Sequence, residues 1–204
     1  EAGISAGADL AEIVHQHGTT VLIGLSGQGG QFSREVVEAV AANTDRPIIF
    51  PLSNPTENTE VLPADAISWT DGRALVAAGS PFPDVDFAGT RFPVAQGNNA
   101  FVFPGIGFGS VLSRARKVTD NMIAAAAYAL AHYTAEKHPD RLYPPVAELQ
   151  AVSIQVTARV MAAAVQDGVA GEFGIYELDQ HAMVQFVRER FWHPHYLSYR
   201  LPEK

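Results

Sequence analysis

Thr20-Val21-Leu22-Ile23-Gly24-Leu25-Ser26-Gly27-Gln28-Gly29-Gly30 decides how the rest of the chain is read. Residues 20–25 form an apolar run without alternation, the pattern of a strand buried on both faces of a parallel sheet. The run breaks into glycines, and Ser33 then fits the N-cap of a helix carrying Val36, Val37 and Val40. Strand, glycine-rich turn and helix follow one another directly. Upstream, Leu10, Ile13 and Val14 mark one face of a helix that Gly18 stops. Downstream the pattern repeats. Residues 47–53 give a second apolar strand, Pro63–Trp69 a short helix, and residues 73–79 a third strand. Strands separated by helices predict an α/β fold with a parallel sheet and crossover helices.

Sheets of this kind bind ligands beyond the carboxyl ends of their strands. Each strand here ends in unusual polar chemistry: glycines after the first, Ser53-Asn54-Pro55-Thr56 after the second, Gly79-Ser80-Pro81-Phe82 after the third. Gln96-Gly97-Asn98-Asn99 then closes on the same edge. Each Asn amide offers two donors and an acceptor without net charge. The pair fits two roles, orienting a carboxylate or carboxamide, or closing a turn with its own backbone. Residues 24–30 resemble a phosphate-cradling loop only loosely, because the G-x-G-x-x-G spacing is absent, as is an acidic residue about 20 positions on. Ligand contact and plain strand–helix packing both remain open for this loop.

Beyond Pro104 the chain turns helical. Gly105, Gly107 and Gly109 suit close approach of another backbone, at some loss of helix propensity. Thr119 or Asp120 caps an Ala-rich helix running to residue 133, apolar enough to predict burial on more than one side. Arg141-Leu142-Tyr143-Pro144-Pro145 reads as a rigid connector, residues 146–166 as the next helix, and 171–174 as a linker. A helix over 178–190 leads into an extended aromatic tail with Phe191, Trp192, Tyr196 and Tyr199 among Arg188, Arg190 and Arg200. Aromatics flanked by Arg have the composition of interface anchors, and docking back on the tail's own domain is the alternative.

At 204 residues, 47% apolar and 18% charged, the chain suits one globular domain with a substantial core. A net charge of −8 argues against nucleic acid and anionic membrane as partners. The longest clean apolar run, residues 122–130, is far shorter than the ~20 residues that span a bilayer. No cysteine is present, which excludes disulfides and thiolate chemistry. His193 and His195 flank a proline, but a tail packed by its aromatics explains them better than a metal does. Neither a carboxylate cluster with metal spacing nor a Ser-His-Asp arrangement stands out. Lys117 and Lys137 sit in solvated helical segments and do not resemble desolvated bases. The chain opens on Glu1 rather than Met, which points to processing, trimming or a start inside a longer chain.

The ordered set Arg46-Pro47-Ile48-Ile49-Phe50, Ser53-Asn54-Pro55-Thr56, Ala78-Gly79-Ser80-Pro81-Phe82, Gln96-Gly97-Asn98-Asn99, Phe103-Pro104-Gly105, Thr119-Asp120 and Arg141-Leu142-Tyr143-Pro144-Pro145 resembles the malic enzymes, the large-subunit type in particular. The resemblance runs over about residues 10–165. It implies the second half of a Rossmann-like nicotinamide-dinucleotide domain with its covering helices over 1–170, then a linker, helix and tail over 171–204. It implies substrate contacts to malate from Asn54, Asn98 and Asn99, and cofactor contacts from Gly24, Leu25, Ser26, Gly27, Asn54 and Asn98. The family's catalytic Tyr and Lys, its three carboxylate ligands for Mn²⁺ or Mg²⁺ and its glycine fingerprint have no counterpart here. The resemblance therefore implies a fragment of a malic enzyme, inactive alone, with no catalytic or metal-binding residue of its own.

The parent reaction would be oxidative decarboxylation of malate to pyruvate and CO₂. NAD is the expected cofactor, since Gln16-His17-Gly18-Thr19 lacks the fixed cation that meets the 2′-phosphate of NADP in many relatives; NADP is the alternative. The remainder of a malic enzyme chain, a homo-oligomer, and a cytoplasmic or (in a eukaryote) mitochondrial-matrix location are further implications. A non-catalytic nucleotide- or metabolite-binding module with the same fold is the competing expectation.

Overall fold

The computed structural model describes residues 7–192. In chain order the elements are α1 (Leu10–His17), β1 (Val21–Gly24), α2 (Arg34–Asn43), β2 (Ile48–Pro51), α3 (Pro63–Trp69), β3 (Leu75–Ala78), β4 (Val85–Phe87), β5 (Thr90–Phe92) and β6 (Ala95–Gln96), then α4 (Phe103–Leu112), α5 (Asp120–Lys137), α6 (Leu149–Gln166) and α7 (Gln180–Arg190). The sheet is parallel with order β1-β2-β3-β6, as the strand–helix alternation predicts. Its register pairs Leu22 with Ile49 and Ile49 with Val76. These three side chains share one face and pack with Val14, Val37, Val40 and Ile67 of α1, α2 and α3 into one core.

The opposite face carries Ile48 and Phe50, because side chains alternate along a strand. Phe50 meets Tyr143 at a ring-centroid distance of 6.4 Å, and Tyr143 stacks on the fully buried Phe101 at 6.2 Å. Phe101 belongs to a second core built by α4 to α7. On β1 the second face has no such cover. Val21 and Ile23 are 44% and 55% exposed, so this edge strand is buried on one face and not on both as its composition suggests. An apolar run reports that both faces avoid water, and nothing within the described residues covers the second.

Two elements lie outside the sequence-based expectation. The antiparallel hairpin β4–β5 turns at Ala88-Gly89, both with positive φ, and the two-residue β6 adds a fourth strand beside β3. Asp84 ties the hairpin down, accepting from Val94 N and Arg91 Nε at 3.2 Å each, with Arg141 Nη2 3.5 Å away. Burial pushes its carboxyl up, and the Val94 amide with the two guanidiniums more than reverses that, leaving it below its ordinary value.

The helical half follows its glycines and caps. β-Carbons placed on Gly105 and Gly109 would lie 2.5 and 2.8 Å from Val156 Cγ1 and Val160 Cγ1, whereas one on Gly107 would meet nothing within 4 Å. The first two therefore permit close approach of α4 to α6. α5 runs four residues past 133 to Lys137 and buries one side only, with Met122, Ala126, Leu130 and Thr134 inward. Ile123 and Tyr128 are 47% and 68% exposed, so burial on more than one side does not hold for α5. α6 is the central helix instead, with ten buried residues distributed around it. Phe191 meets Phe108 edge-on at 5.8 Å, while Trp192 is exposed. The expectations for His193, His195, Tyr196, Tyr199 and Arg200 lie outside the described residues. No helix among the described residues is long and apolar enough to cross a membrane.

Thr119 caps α5, accepting from Met122 N at 3.2 Å and donating to Asp167 Oδ2 at 2.5 Å. Asp167 follows α6 and also receives Asn121 Nδ2 at 2.9 Å, so this cap joins two helices. Thr119→Ala is expected to lower unfolding free energy by about 1 kcal/mol in urea titration with an unchanged m-value. A loss under a few tenths of a kcal/mol would show that Asp120 takes over the cap.

Candidate ligand site at the strand ends

The carboxyl ends of the four strands are tied together by their own backbone beyond the regular ladders. Leu52 N donates to Gly24 O, Gly79 N to Pro51 O, and Gly97 N to Ala78 O, at 3.0, 3.0 and 2.9 Å. Leu25–Gly27, Asn54 and Asn98–Asn99, the contact residues expected from the sequence, follow the ends of β1, β2 and β6. The sheet thereby fixes the spacing of the loops that follow each strand.

Polar side chains then link each loop to its neighbour. Between β1 and β2 the link is Glu60, a residue that sequence reading did not single out. Its carboxylate is fully buried and accepts from Ser26 N at 3.1 Å, Ser26 Oγ at 3.0 Å, Ser53 N at 3.3 Å and Ser53 Oγ. Gly27 N donates to Ser53 Oγ at 2.9 Å, which closes the ring. Burial pushes the Glu60 carboxyl up, but hydrogen bonds from the Ser53 hydroxyl, its own amide and Ser26 outweigh it and hold it below the ordinary range. The group is therefore an anion at neutral pH, stabilised by donors rather than by a cation. Gly24 makes room for it, since a β-carbon there would lie 2.4 Å from Glu60 Cδ. The amides of Ser26 and Gly27 point inward to this cluster, so the loop is not a phosphate cradle of the kind its glycines loosely suggest. Leu25 and Gly27 face solvent, Leu25 with 77% exposure.

Between β2 and β3 the link is Asn54. Its Oδ1 accepts from Ser80 Oγ at 2.9 Å and its Nδ2 donates to Leu52 O at 3.3 Å. Gly79 permits this contact, because a β-carbon there would fall 2.2 Å from Leu52 O and 3.0 Å from Asn54 Nδ2. Between β3 and β6 the link is Gln96, whose Nε2 donates to Gly79 O at 3.1 Å. Asn98 follows. Its Oδ1 accepts from Ala100 N at 2.9 Å and caps the single 3₁₀ turn Asn99–Phe101. Turn closure thus uses one end of the Asn98 amide, and the NH₂ end has no hydrogen-bond partner among the described residues. Asn99 is exposed beside it.

Asn98 and Asn99 line a cavity of about 380 Å³ together with the apolar side chains of Leu52, Val102, Leu130 and Tyr143. Leu52 immediately precedes Ser53 and Asn54, so this cavity adjoins the β2 loop. The loop after β1 is joined to the Asn54 loop through Ser53, while no described hydrogen bond joins Asn54 to Asn98. A larger depression, about 540 Å³, lies between the start of α2 and α3 and includes none of the sequence-expected site residues. Elsewhere Tyr133 Oη donates to Glu148 Oε2 at 2.7 Å, and His138 Nε2 lies 3.0 Å from the same carboxylate. Burial, then the Glu148 contact, pushes the Tyr133 phenol up to about 12, which makes it a poor acid at neutral pH. Among the described residues no group of three or more His, Asp or Glu could hold a metal ion.

The edge can offer neutral amide donors, backbone carbonyls and an apolar wall to a small polar ligand. Comparison with known proteins bears on what that ligand is. Residues 2–165 match the family described as malic enzyme, NAD binding domain. The chain is 43% identical over 193 residues to the NAD-dependent malic enzyme of Acinetobacter baylyi, covering 94% of this chain and 33% of that protein. It is 45% identical over 198 residues to the NAD-dependent malic enzyme of Edwardsiella ictaluri, covering 96% and 34% respectively. Among solved structures it is similar to the malic enzyme of Entamoeba histolytica, with TM-score 0.69 and 31% identity over 88% of this chain and 33% of that one. The malic enzyme of Pyrococcus horikoshii gives TM-score 0.66 and 27% identity over 88% and 36%. The chain spans about a third of the length of the curated relatives it matches.

Proposed function

The chain belongs to the malic enzyme family, and from that premise we propose that it supplies half of the dinucleotide site of an enzyme that converts malate to pyruvate and CO₂. The observation that carries this reading is the single edge on which Leu25–Gly27, Asn54 and Asn98–Asn99 all lie, spaced by one parallel sheet. NAD, bound there, supplies the hydride acceptor. Leu25 and Gly27, both exposed beyond β1, would hold the cofactor on that side. Asn54 and the free NH₂ of Asn98 orient the carboxamide of NAD or a carboxylate of malate, with Asn99 beside them. These groups act by placing reactants, an effect on proximity rather than on proton transfer. The cavity wall of Leu52, Val102 and Tyr143 keeps water from one side of the bound group. The described residues do not fit Mn²⁺ or Mg²⁺, so no step is assigned to a cation here.

The uncovered face and free edge of β1 suit the remainder of a malic enzyme chain, and a homo-oligomer in the cytoplasm completes the proposal. Titration calorimetry of this chain with NAD, and with NADP in parallel, tests the reading; binding of NAD in preference to NADP is expected. Asn98→Asp is the diagnostic variant. It keeps the acceptor that closes the turn and removes the donor. A roughly tenfold or greater loss of NAD affinity is expected, from a buried polar partner left unpaired at about 1–3 kcal/mol. Wild-type affinity in Asn98→Asp would reduce the Asn pair to turn closure. Malate-dependent formation of NADH by this chain alone is expected to be absent, and turnover above a mock preparation would overturn the assignment of base, acid and metal ligands to other residues. NAD binding with no turnover even alongside the remaining segments of a relative would favour the non-catalytic binding module.

A further inference from the structure

We propose that Glu60 is a positioning residue for the cofactor side of the site, holding the loop after β1 and the loop after β2 in one fixed relation. The inference rests on the proposed role of Leu25–Gly27 toward NAD and goes beyond it, because Glu60 touches no ligand position itself.

Three features of the structure carry it. The first is the completeness of the engagement. A carboxylate with no exposure accepts the amide and hydroxyl of Ser26 from one loop and the amide and hydroxyl of Ser53 from the next. Ser26 and Glu60 are 34 positions apart in sequence, so the contact is not an incident of a local turn. The second is the way the loop is held. With Ser26 N on Glu60 and Gly27 N on Ser53 Oγ, two consecutive peptide units are oriented from beneath, and their carbonyl and Cα faces are left outward. The third is Gly24. The last residue of β1 leaves a space that the Glu60 side chain fills, so strand and carboxylate are fitted to one another from both sides. No lysine, arginine or histidine takes part, and each oxygen has donors already. A carboxylate so satisfied is a structural anion and not a proton carrier.

The geometry also indicates why a neutral residue will not serve. Oε1 accepts three hydrogen bonds and Oε2 accepts one from a backbone amide. A glutamine at 60 has only one accepting end. Whichever way it turns, its NH₂ meets at least one N–H donor, Ser26 N or Ser53 N, and that loop is pushed away. Alanine at 24 attacks the same cluster from the strand side by displacing the carboxylate.

The test uses Glu60→Gln, Gly24→Ala and the double variant, each read by amide hydrogen exchange and by NAD titration. Exchange at Ser26, Gly27 and Ser53 is expected to quicken by about tenfold or more, while amides of Val156 and Val160 in α6 keep their wild-type rates. NAD affinity is expected to fall roughly tenfold in each single variant. The double variant should be little worse than either, because both changes break the same contact. Unchanged exchange at Ser26 and Gly27 in Glu60→Gln overturns the inference whatever NAD does. Faster exchange with unaltered NAD affinity also overturns it, leaving Glu60 a fold residue. Failure of the wild-type chain to bind NAD sinks the cofactor reading instead, and the exchange data still decide whether Glu60 holds the loops.

Discussion

Gly79→Ala is expected to destabilise the chain by at least ~3 kcal/mol, at the upper end of what overpacking usually costs. The added methyl would stand 2.2 Å from Leu52 O and 2.6 Å from Leu52 C. Neither is the end of a flexible side chain, so relief requires β2 and β3 to part. Gly79 cannot retreat, because its amide donates to Pro51 O at 3.0 Å and its carbonyl accepts from Gln96 Nε2 at 3.1 Å. Parting the strands breaks one of these and disturbs the Asn54–Ser80 bond beside them. For a chain of this size the expected fall in Tm is roughly 6–12 °C. Because the clash lies between the loops that carry Asn54 and Gln96, NAD affinity should fall further than the loss of folded protein explains. A Tm within about 2 °C of wild type would show that the strand ends are not closed as described.

Glu60 shows what a sequence can and cannot disclose. β1, β2 and β3 were legible because continuous apolar runs bounded by glycine and proline are a local signal, and the turn chemistry at their ends marked the edge proposed above for the ligand. Ser33, whose hydroxyl accepts from Val36 N, was legible as a cap for the same reason, and the cap of α5 was narrowed to Thr119 or Asp120, of which the structure uses Thr119. Glu60 stands in Thr59-Glu60-Val61, a segment with no periodicity, and its partners are 34 and 7 residues away. The nearest clue lay in Gly24, a glycine inside an apolar strand, which signals that something approaches the backbone closely. It did not say what. β6 escaped because two residues are too few to show alternation. The exposure of Val21 and Ile23 escaped for a different reason, since apolar composition alone does not say whether any described segment lies over that face. Asn98 was read with two roles open, and the geometry gives turn closure to its oxygen while its nitrogen has no hydrogen-bond partner among the described residues.

The second large effect is in the helices, where two glycines of α4, Gly105 and Gly107, should respond to alanine in opposite directions. Alanine ordinarily gains up to ~1 kcal/mol over glycine in a helix. Gly107 meets nothing within 4 Å, so Gly107→Ala should raise stability by about that amount. At Gly105 the new methyl would lie 2.5 Å from Val156 Cγ1, 2.6 Å from Val156 Cβ and 3.2 Å from Thr157 N. α6 is buried around most of its circumference and packs against α5 and α7 as well, so it cannot slide aside without disturbing the whole second core. Gly105→Ala is therefore expected to cost about 2–3 kcal/mol net of the propensity gain. Val156→Ala should not rescue it, because truncation removes Cγ1 and leaves Cβ at 2.6 Å from the new methyl. Thermal and urea unfolding of the two single alanine variants and of the Gly105→Ala, Val156→Ala pair decide the matter. A loss at 105 larger than the gain at 107, without rescue, fits helices in backbone contact. Stabilisation at both positions, or full recovery in the pair, would mean that α4 and α6 sit farther apart than the glycine contacts require.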